Sequence, residues 1–106
     1  MKETARVFRA LADPTRRQIL QELKIGELSA GEIASRFEIS GPSISRHLAI
    51  LKTADLVTER RQGNSILYRL EPERLALCLN DFLSNVCPTQ ILRRRRRPGG
   101  TGGTPS

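Results

Sequence analysis

Ser40-Gly41-Pro42-Ser43-Ile44-Ser45-Arg46-His47-Leu48-Ala49-Ile50-Leu51 is the stretch on which the reading of this chain turns. Ser40 suits a helix N-cap, and Pro42 just inside is tolerated because its missing N–H would have no partner in the first turn. Ile44, Leu48 and Leu51 recur at i, i+4 and i+7 and make one apolar stripe. The other side carries Ser43, Ser45 and Arg46, short hydroxyls and a guanidinium with little bulk over the backbone. A helix with an apolar back and a front of small donors around an arginine suits the major groove of DNA. There Arg bonds guanine through paired donors and Ser reaches base edges or phosphates. By itself the stretch is equally an ordinary amphipathic surface helix, and its neighbours decide between the two.

Working back from Ser40, Ser29-Ala30-Gly31-Glu32 is a capping box that opens a short helix to about Glu38, with Ile33, Ala34 and Phe37 inward. Ile39-Ser40-Gly41 is then a tight turn, and two short helices joined this way make a helix-turn-helix. Further back, Asp13 caps a helix whose first position is Pro14 and whose inward face is Ile19, Leu20 and Leu23, with Gly26 as its stop. Arg16 and Arg17 fall in its first turn, where the macrodipole disfavours cations; a nearby anion would relieve that, and solvation is the expected account. Lys2–Ala12 reads as a first helix with Ala5, Phe8 and Leu11 at steps of three and Val7 widening the stripe.

Forward of Leu51 the period changes from 3.6 to 2. Leu56–Arg61 and Ser65–Leu70 are β-prone runs around the turn-forming cluster Gln62-Gly63-Asn64, which predicts a hairpin with Arg60 and Arg61 near its tip. A basic hairpin directly after a helix-turn-helix is the wing of a winged-helix domain. Glu71-Pro72-Glu73 starts a last helix to about Val86, with Leu75, Leu79, Phe82, Leu83 and Val86 on one face. That face exceeds what a small core and a hairpin require and reads as a dimerisation surface shared with Phe8 of the first helix, with Cys78 inside it. Packing on the chain's own domain is the competing account. The fold class predicted is mainly α with a small β-hairpin: a homodimeric winged helix-turn-helix of four helices, two strands and a fifth helix. It occupies residues 1–88, and residues 89–106 form a basic Gly/Pro-rich tail with no apolar pattern, expected to be disordered.

Composition bounds the partners. The 106 residues carry a net charge of +7, but residues 1–92 hold 13 Lys and Arg against 11 Asp and Glu, so Arg93–Arg97 supplies most of the excess. Residues 40–70 hold five basic and two acidic side chains, a surplus on the surface expected to meet a polyanion. No stretch approaches the ~20 apolar residues of a membrane span and no signal peptide is visible, so a cytoplasmic protein is expected. Two cysteines, Cys78 and Cys87, make no disulfide framework and no CxxC metal pair. Nine residues apart on a helix, they are separated by about 13.5 Å of rise and face opposite ways.

With these elements in place the chain resembles the ArsR/SmtB family of winged-helix repressors. The resemblance rests on Leu11-Ala12-Asp13-Pro14-Thr15-Arg16-Arg17-Gln18-Ile19-Leu20, on Ile44-Ser45-Arg46-His47-Leu48-Ala49-Ile50-Leu51, and on Arg61-Gln62-Gly63-Asn64 with Tyr68-Arg69-Leu70. Within the family, Ala30-Gly31-Glu32-Ile33-Ala34 and Pro42-Ser43-Ile44-Ser45 look most like the SdpR-type autorepressors. The resemblance implies a homodimer that represses its target by occupying operator DNA, often its own promoter; two recognition helices spaced for successive major grooves would make that double-stranded DNA site an imperfect inverted repeat. It leaves room for an unidentified inducer or anti-repressor.

The chain departs from the family's metal sensors. Positions where such members carry cysteines are Ser29, Gly31 and Ala34, and the lone histidine, His47, sits in the recognition helix, so no cofactor or metal is expected. Expected DNA contacts are Ser40, Gly41, Pro42, Ser43, Ser45, Arg46 and His47 from the helix and Arg60, Arg61, Gln62 and Asn64 from the wing. His47 is structural, binds phosphate or reads a base; Tyr68 belongs to the core or wing base. An enzyme has no support, since no nucleophile–base pair, phosphate loop or carboxylate cluster is present. Two rivals are a winged-helix module that binds protein through the same face, and a repressor that senses redox state through its thiols.

Overall fold

The computed structural model describes residues 2–88; the expected tail, with Arg93–Arg97, lies outside them. The elements are α1 (Lys2–Leu11), α2 (Pro14–Ile25), β1 (Leu28–Ser29), α3 (Ala30–Phe37), α4 (Gly41–Thr53), β2 (Val57–Gln62), β3 (Ser65–Leu70) and α5 (Pro72–Val86). This is the winged helix-turn-helix predicted, with one strand more. Leu28 and Ser29 pair antiparallel with Tyr68 and Leu67, giving a three-stranded sheet in the order β1-β3-β2. Two residues are too few to show a period of two, and their partner lies far along the chain.

The helix starts obey local chemistry. Asp13 accepts from the backbone N–H of Thr15 at 2.7 Å and of Arg16 at 3.2 Å. Ser29 accepts from the Glu32 N–H at 3.1 Å while Glu32 accepts from the Ser29 N–H at 2.8 Å, a complete capping box. The stops are less ordinary. Gly26 ends α2 in extended backbone, whereas α3 and α4 end on Glu38 (φ 54°) and Asp55 (φ 61°), non-glycine residues in the left-handed region. After α4 the Leu56 N–H reaches Leu51 O at 3.0 Å and the Asp55 N–H reaches Lys52 O at 2.9 Å, a Schellman motif. Its accompanying apolar pair is Leu51 and Leu56, both fully buried.

The chain divides after Leu75 into two compact units. In the first, the core is aliphatic: Val7, Ala10, Ile19, Leu20, Leu23, Leu28, Ile33, Ile44, Leu48, Leu51, Ala54, Leu56 and Val57 are buried. The stripe Ile44, Leu48 and Leu51 is the back of α4, as its spacing predicts. The inward face of α1 is Val7 and Ala10, a correction to the Ala5–Phe8–Leu11 stripe: Ala5 is exposed and Phe8 is 36% exposed. The step of three from Val7 to Ala10, rather than the steps from Ala5, meets the core.

Arg16 differs from expectation, whereas Arg17 stays exposed. Arg16 is buried rather than solvated, and donates to Ala10 O at 2.8 Å and Arg9 O at 3.0 Å. Arg17 reaches Leu11 O at 2.6 Å. These carbonyls belong to the last turn of α1, where the helical ladder runs out, with the Ala12 N–H reaching Arg9 O at 3.2 Å, and the dipole is negative. The end of one helix thus compensates cations at the start of the next.

From Ala76 on, the described part is the remainder of α5 and the two residues beyond it. No α5 residue is buried; Phe82 is 40%, Leu83 39% and Val86 60% exposed. Cys87 lies just past the helix rather than on it, and both cysteines are free thiols, half-buried.

Candidate nucleic-acid interface

α4 is held from behind and bare in front. Its N-cap Ser40 accepts from the Ser43 N–H at 3.3 Å and donates its own hydroxyl to Ser43 Oγ at 3.1 Å. Ser43 is therefore part of the cap, leaving Ser45 and Arg46 as the open donors of the front. Both are exposed, and among the described residues Arg46 meets no hydrogen-bond or ion-pair partner. The backbone N–H groups of the first turn, capped only by Ser40, add a partial positive charge beside Gly41 and Pro42. His47 is half-buried, with Nδ1 3.2 Å from the Arg16 guanidinium, so a residue from α2 reaches the recognition helix. No sequence pattern flags that pairing, because the two positions are 31 residues apart.

The wing is a two-residue hairpin. Gln62 pairs with Ser65, so Gly63 and Asn64 form the loop, and the positive φ at Gly63 alone fits a type II′ turn. The two wing arginines are not equivalent. Arg61 is exposed and unpartnered among the described residues, while Arg60 is forked onto Glu27, Nη2 to Oε1 at 2.8 Å and Nε to Oε2 at 2.9 Å. That bond from Arg60 holds the Glu27 carboxyl below its ordinary value against desolvation, which pushes it upward, and it raises Arg60 in turn. Arg60 is thus tied to the segment before β1 rather than free beside the tip. Gln62 and Asn64 are exposed.

Helix and wing are joined by one polar chain. Lys52, in the last turn of α4, donates to Glu59 on β2 at 2.7 Å, and Tyr68 faces Glu59 across the ladder, where its phenol bears on the same carboxylate. The Lys52 bond lowers Glu59 below an ordinary carboxyl, and Glu59 raises Lys52. Tyr68 is raised first by burial and then by the Glu59 charge. The phenol is therefore a wing-base residue, one of the two places the sequence allows it. The structure brings the helix front and the wing into one compact unit; Phe8 belongs to that unit, and Cys78, Leu79, Phe82, Leu83 and Val86 to the other.

Comparison with known proteins bears on the same stretch of chain. A family model described as a helix-turn-helix domain matches residues 11–60, from α1's last residue to the middle of β2. The transcriptional repressor SdpR of Bacillus subtilis (strain 168) is 49% identical over 80 residues, covering 76% of this chain and 89% of that protein. An ArsR-like transcriptional regulator from Rhodococcus sp. RHA1 superposes with a TM-score of 0.73 at 34% identity, covering 89% of this chain and 86% of that one. The homodimeric winged helix-turn-helix DNA-binding domain of a possible ArsR-family regulator from Mycobacterium bovis, solved in solution, gives a TM-score of 0.68 at 32% identity. It covers 79% of this chain and 80% of that one. Among the described residues no helix is long and apolar enough to cross a membrane.

Proposed function

Because the chain belongs to the ArsR/SmtB family of winged helix-turn-helix transcriptional regulators, we propose that it is a homodimeric repressor seated on an imperfect inverted-repeat operator, its own promoter among the targets. It is a DNA-binding regulator and not an enzyme. The observation that carries the repressor reading is the uncommitted front of α4, where Arg46 stands exposed beside Ser45 with no partner among the described residues. On this reading Ser40, Gly41, Pro42 and Ser43 present the helix start to phosphate, Ser45 and Arg46 face base edges, and Arg61, Gln62 and Asn64 meet the backbone beside the groove. Arg60 joins them when phosphate displaces Glu27.

The homodimer is supported by the homodimeric solved relative and by the exposed apolar side of α5. Its proposed seam is Phe8, Leu75, Cys78, Leu79, Phe82, Leu83 and Val86. The repressor would work without the family's metal site, since Ser29, Gly31 and Ala34 offer no thiolate or imidazole. Arg93–Arg97 would add sequence-independent affinity by counterion release.

A gel shift on the DNA upstream of the protein's own coding sequence, at two salt concentrations and with footprinting of the shifted complex, tests this. Two protected half-sites centred ~34 Å apart are expected. Equal retention of upstream and scrambled duplexes at both salts would refute sequence-specific repression.

A further inference from the structure

The guanidinium of Arg16 is fixed on two sides by backbone: Nε donates to Ala10 O at 2.8 Å and Nη2 to Arg9 O at 3.0 Å. Its remaining edge, Nη1, lies 3.2 Å from Nδ1 of His47. An arginine side chain has donors only and keeps its charge in proteins. Nδ1 of His47 is therefore the acceptor of this bond. A neutral imidazole has one acceptor and one donor nitrogen, so its proton lies on Nε2. The opposite tautomer would set N–H against N–H. Among the described residues Nε2 has no hydrogen-bond partner, and it belongs to a half-buried side chain of α4 beside the exposed Arg46.

We propose that Arg16 is a positioning residue that presents His47 to DNA as a hydrogen-bond donor through Nε2–H. This rests on reading α4 as the helix that meets DNA, and it adds a direction to that reading. A donor at Nε2 matches N7 and O6 of guanine, N7 of adenine, O4 of thymine or a phosphate oxygen. It rejects the amino groups of adenine and cytosine, which need an acceptor. Because Arg16 is anchored on the last carbonyls of α1, the orientation of the imidazole is set by the α1–α2 junction. That junction thereby takes part in recognition without touching DNA.

The chain has one histidine, so the imidazole nitrogen resonances of the full-length protein need no assignment. At pH ~8.5, above the ~6.5 of an ordinary imidazole, the parent should show an acceptor-type Nδ1 and a protonated Nε2. Arg16→Lys, which keeps a donor, should preserve that signature, and Arg16→Met should give a mixture of tautomers. On a duplex selected by the parent, His47→Gln, whose amide reaches the place of Nε2, should bind within about threefold of the parent, whereas His47→Ala should lose roughly tenfold. A loss confined to the selected duplex assigns the donor to a base edge, and an equal loss on a scrambled duplex assigns it to phosphate; either upholds the proposal. A parent protonated at Nδ1, an Arg16→Met protein with the parent's signature, or His47→Ala binding like the parent overturns it. Should Arg16→Met fail to fold, the parent tautomer and the His47 variants decide. A parent that binds no duplex overturns the regulatory reading, and the tautomer result, read on free protein, stays separate from that failure.

Discussion

Arg46 on α4 and Arg61 on the wing both stand without a protein partner among the described residues, whereas Arg60 is held in a fork by Glu27, and Arg46 and Arg61 should fail differently when removed. Only Arg46 combines the reach and the paired donors needed for guanine. Arg46→Ala should therefore cost ~1–3 kcal/mol on the selected operator and relax preference at one base pair per half-site. Arg61→Ala should weaken operator and scrambled DNA alike and lower the salt slope by about one. Titrating both duplexes with both variants checks this, and an equal loss on the two for Arg46→Ala would make Arg46 a phosphate clamp. Glu27→Gln should act the other way. With the carboxylate gone Arg60 is released, so affinity for scrambled DNA should rise and the salt slope steepen. The front of α4 was readable in the sequence because it is defined by what sits opposite Ile44, Leu48 and Leu51. The fate of Arg16 was not: its partners are backbone carbonyls and a histidine from another helix, and a carbonyl carries no residue-type signal. The fork of Arg60 escaped for a similar reason, since Glu27 is 33 residues away and on no shared element.

Element boundaries were legible where side chains write them. Asp13-Pro14, Ser29 with Glu32, and Ser40 each supply a visible acceptor for a helix start, and all three starts stand where those residues place them. The ends of α3 and α4 fall within a residue of where the apolar spacing puts them, although no glycine marks them: Glu38 and Asp55 take a conformation ordinarily signalled by glycine. At Asp55 the left-handed backbone is imposed by its neighbour: Leu56 must turn back to bury against Leu51, and the Schellman bonds fix Asp55 on the way. A left-handed L-residue costs roughly 1–2 kcal/mol, which glycine avoids at the expense of some unfolded-state entropy. Asp55→Gly should thus stabilise the fold by about 0.5–1 kcal/mol, seen as a higher urea midpoint with an unchanged slope. Gly63 is the mirror case. At φ 61° in the wing loop, an added Cβ meets no neighbour yet the backbone itself resists, so Gly63→Ala should lower the midpoint. The strand β1 was illegible because its pairing with Tyr68 and Leu67 is settled by the packing of the whole sheet.

For the molecule as a whole, the depressed carboxyls Asp13, Glu27 and Glu59 give stability a direction in pH. At Asp13 desolvation is the largest single influence and pushes upward, but the N–H groups of Arg16 and Thr15, with the nearby Arg16 charge and His47, together outweigh it. A group whose folded pKa lies below its unfolded one contributes stability above the unfolded value and loses it as pH falls through the folded one. Thermal midpoints should therefore hold near neutrality and drop below about pH 4, where ordinary carboxyls titrate. Self-association is the larger question at this scale, and α5 carries it. Leu75, Cys78, Leu79, Phe82, Leu83 and Val86 fall on one side of the helix, and Leu77, 70% exposed, falls opposite. If that side is the subunit seam, Leu79→Asp would place a carboxylate without a partner between two apolar surfaces, a cost neither subunit can relieve by hydration. Leu77→Asp adds the same charge to the same helix where water reaches it. Sedimentation should then find Leu79→Asp monomeric at concentrations where the parent and Leu77→Asp are dimeric, with helix content by circular dichroism alike in all three. The monomer should also lose operator binding more than scrambled binding, since one recognition helix reads one half-site. A Leu79→Asp protein that stays dimeric, or a Leu77→Asp protein that dissociates equally, would move the seam off this face of α5.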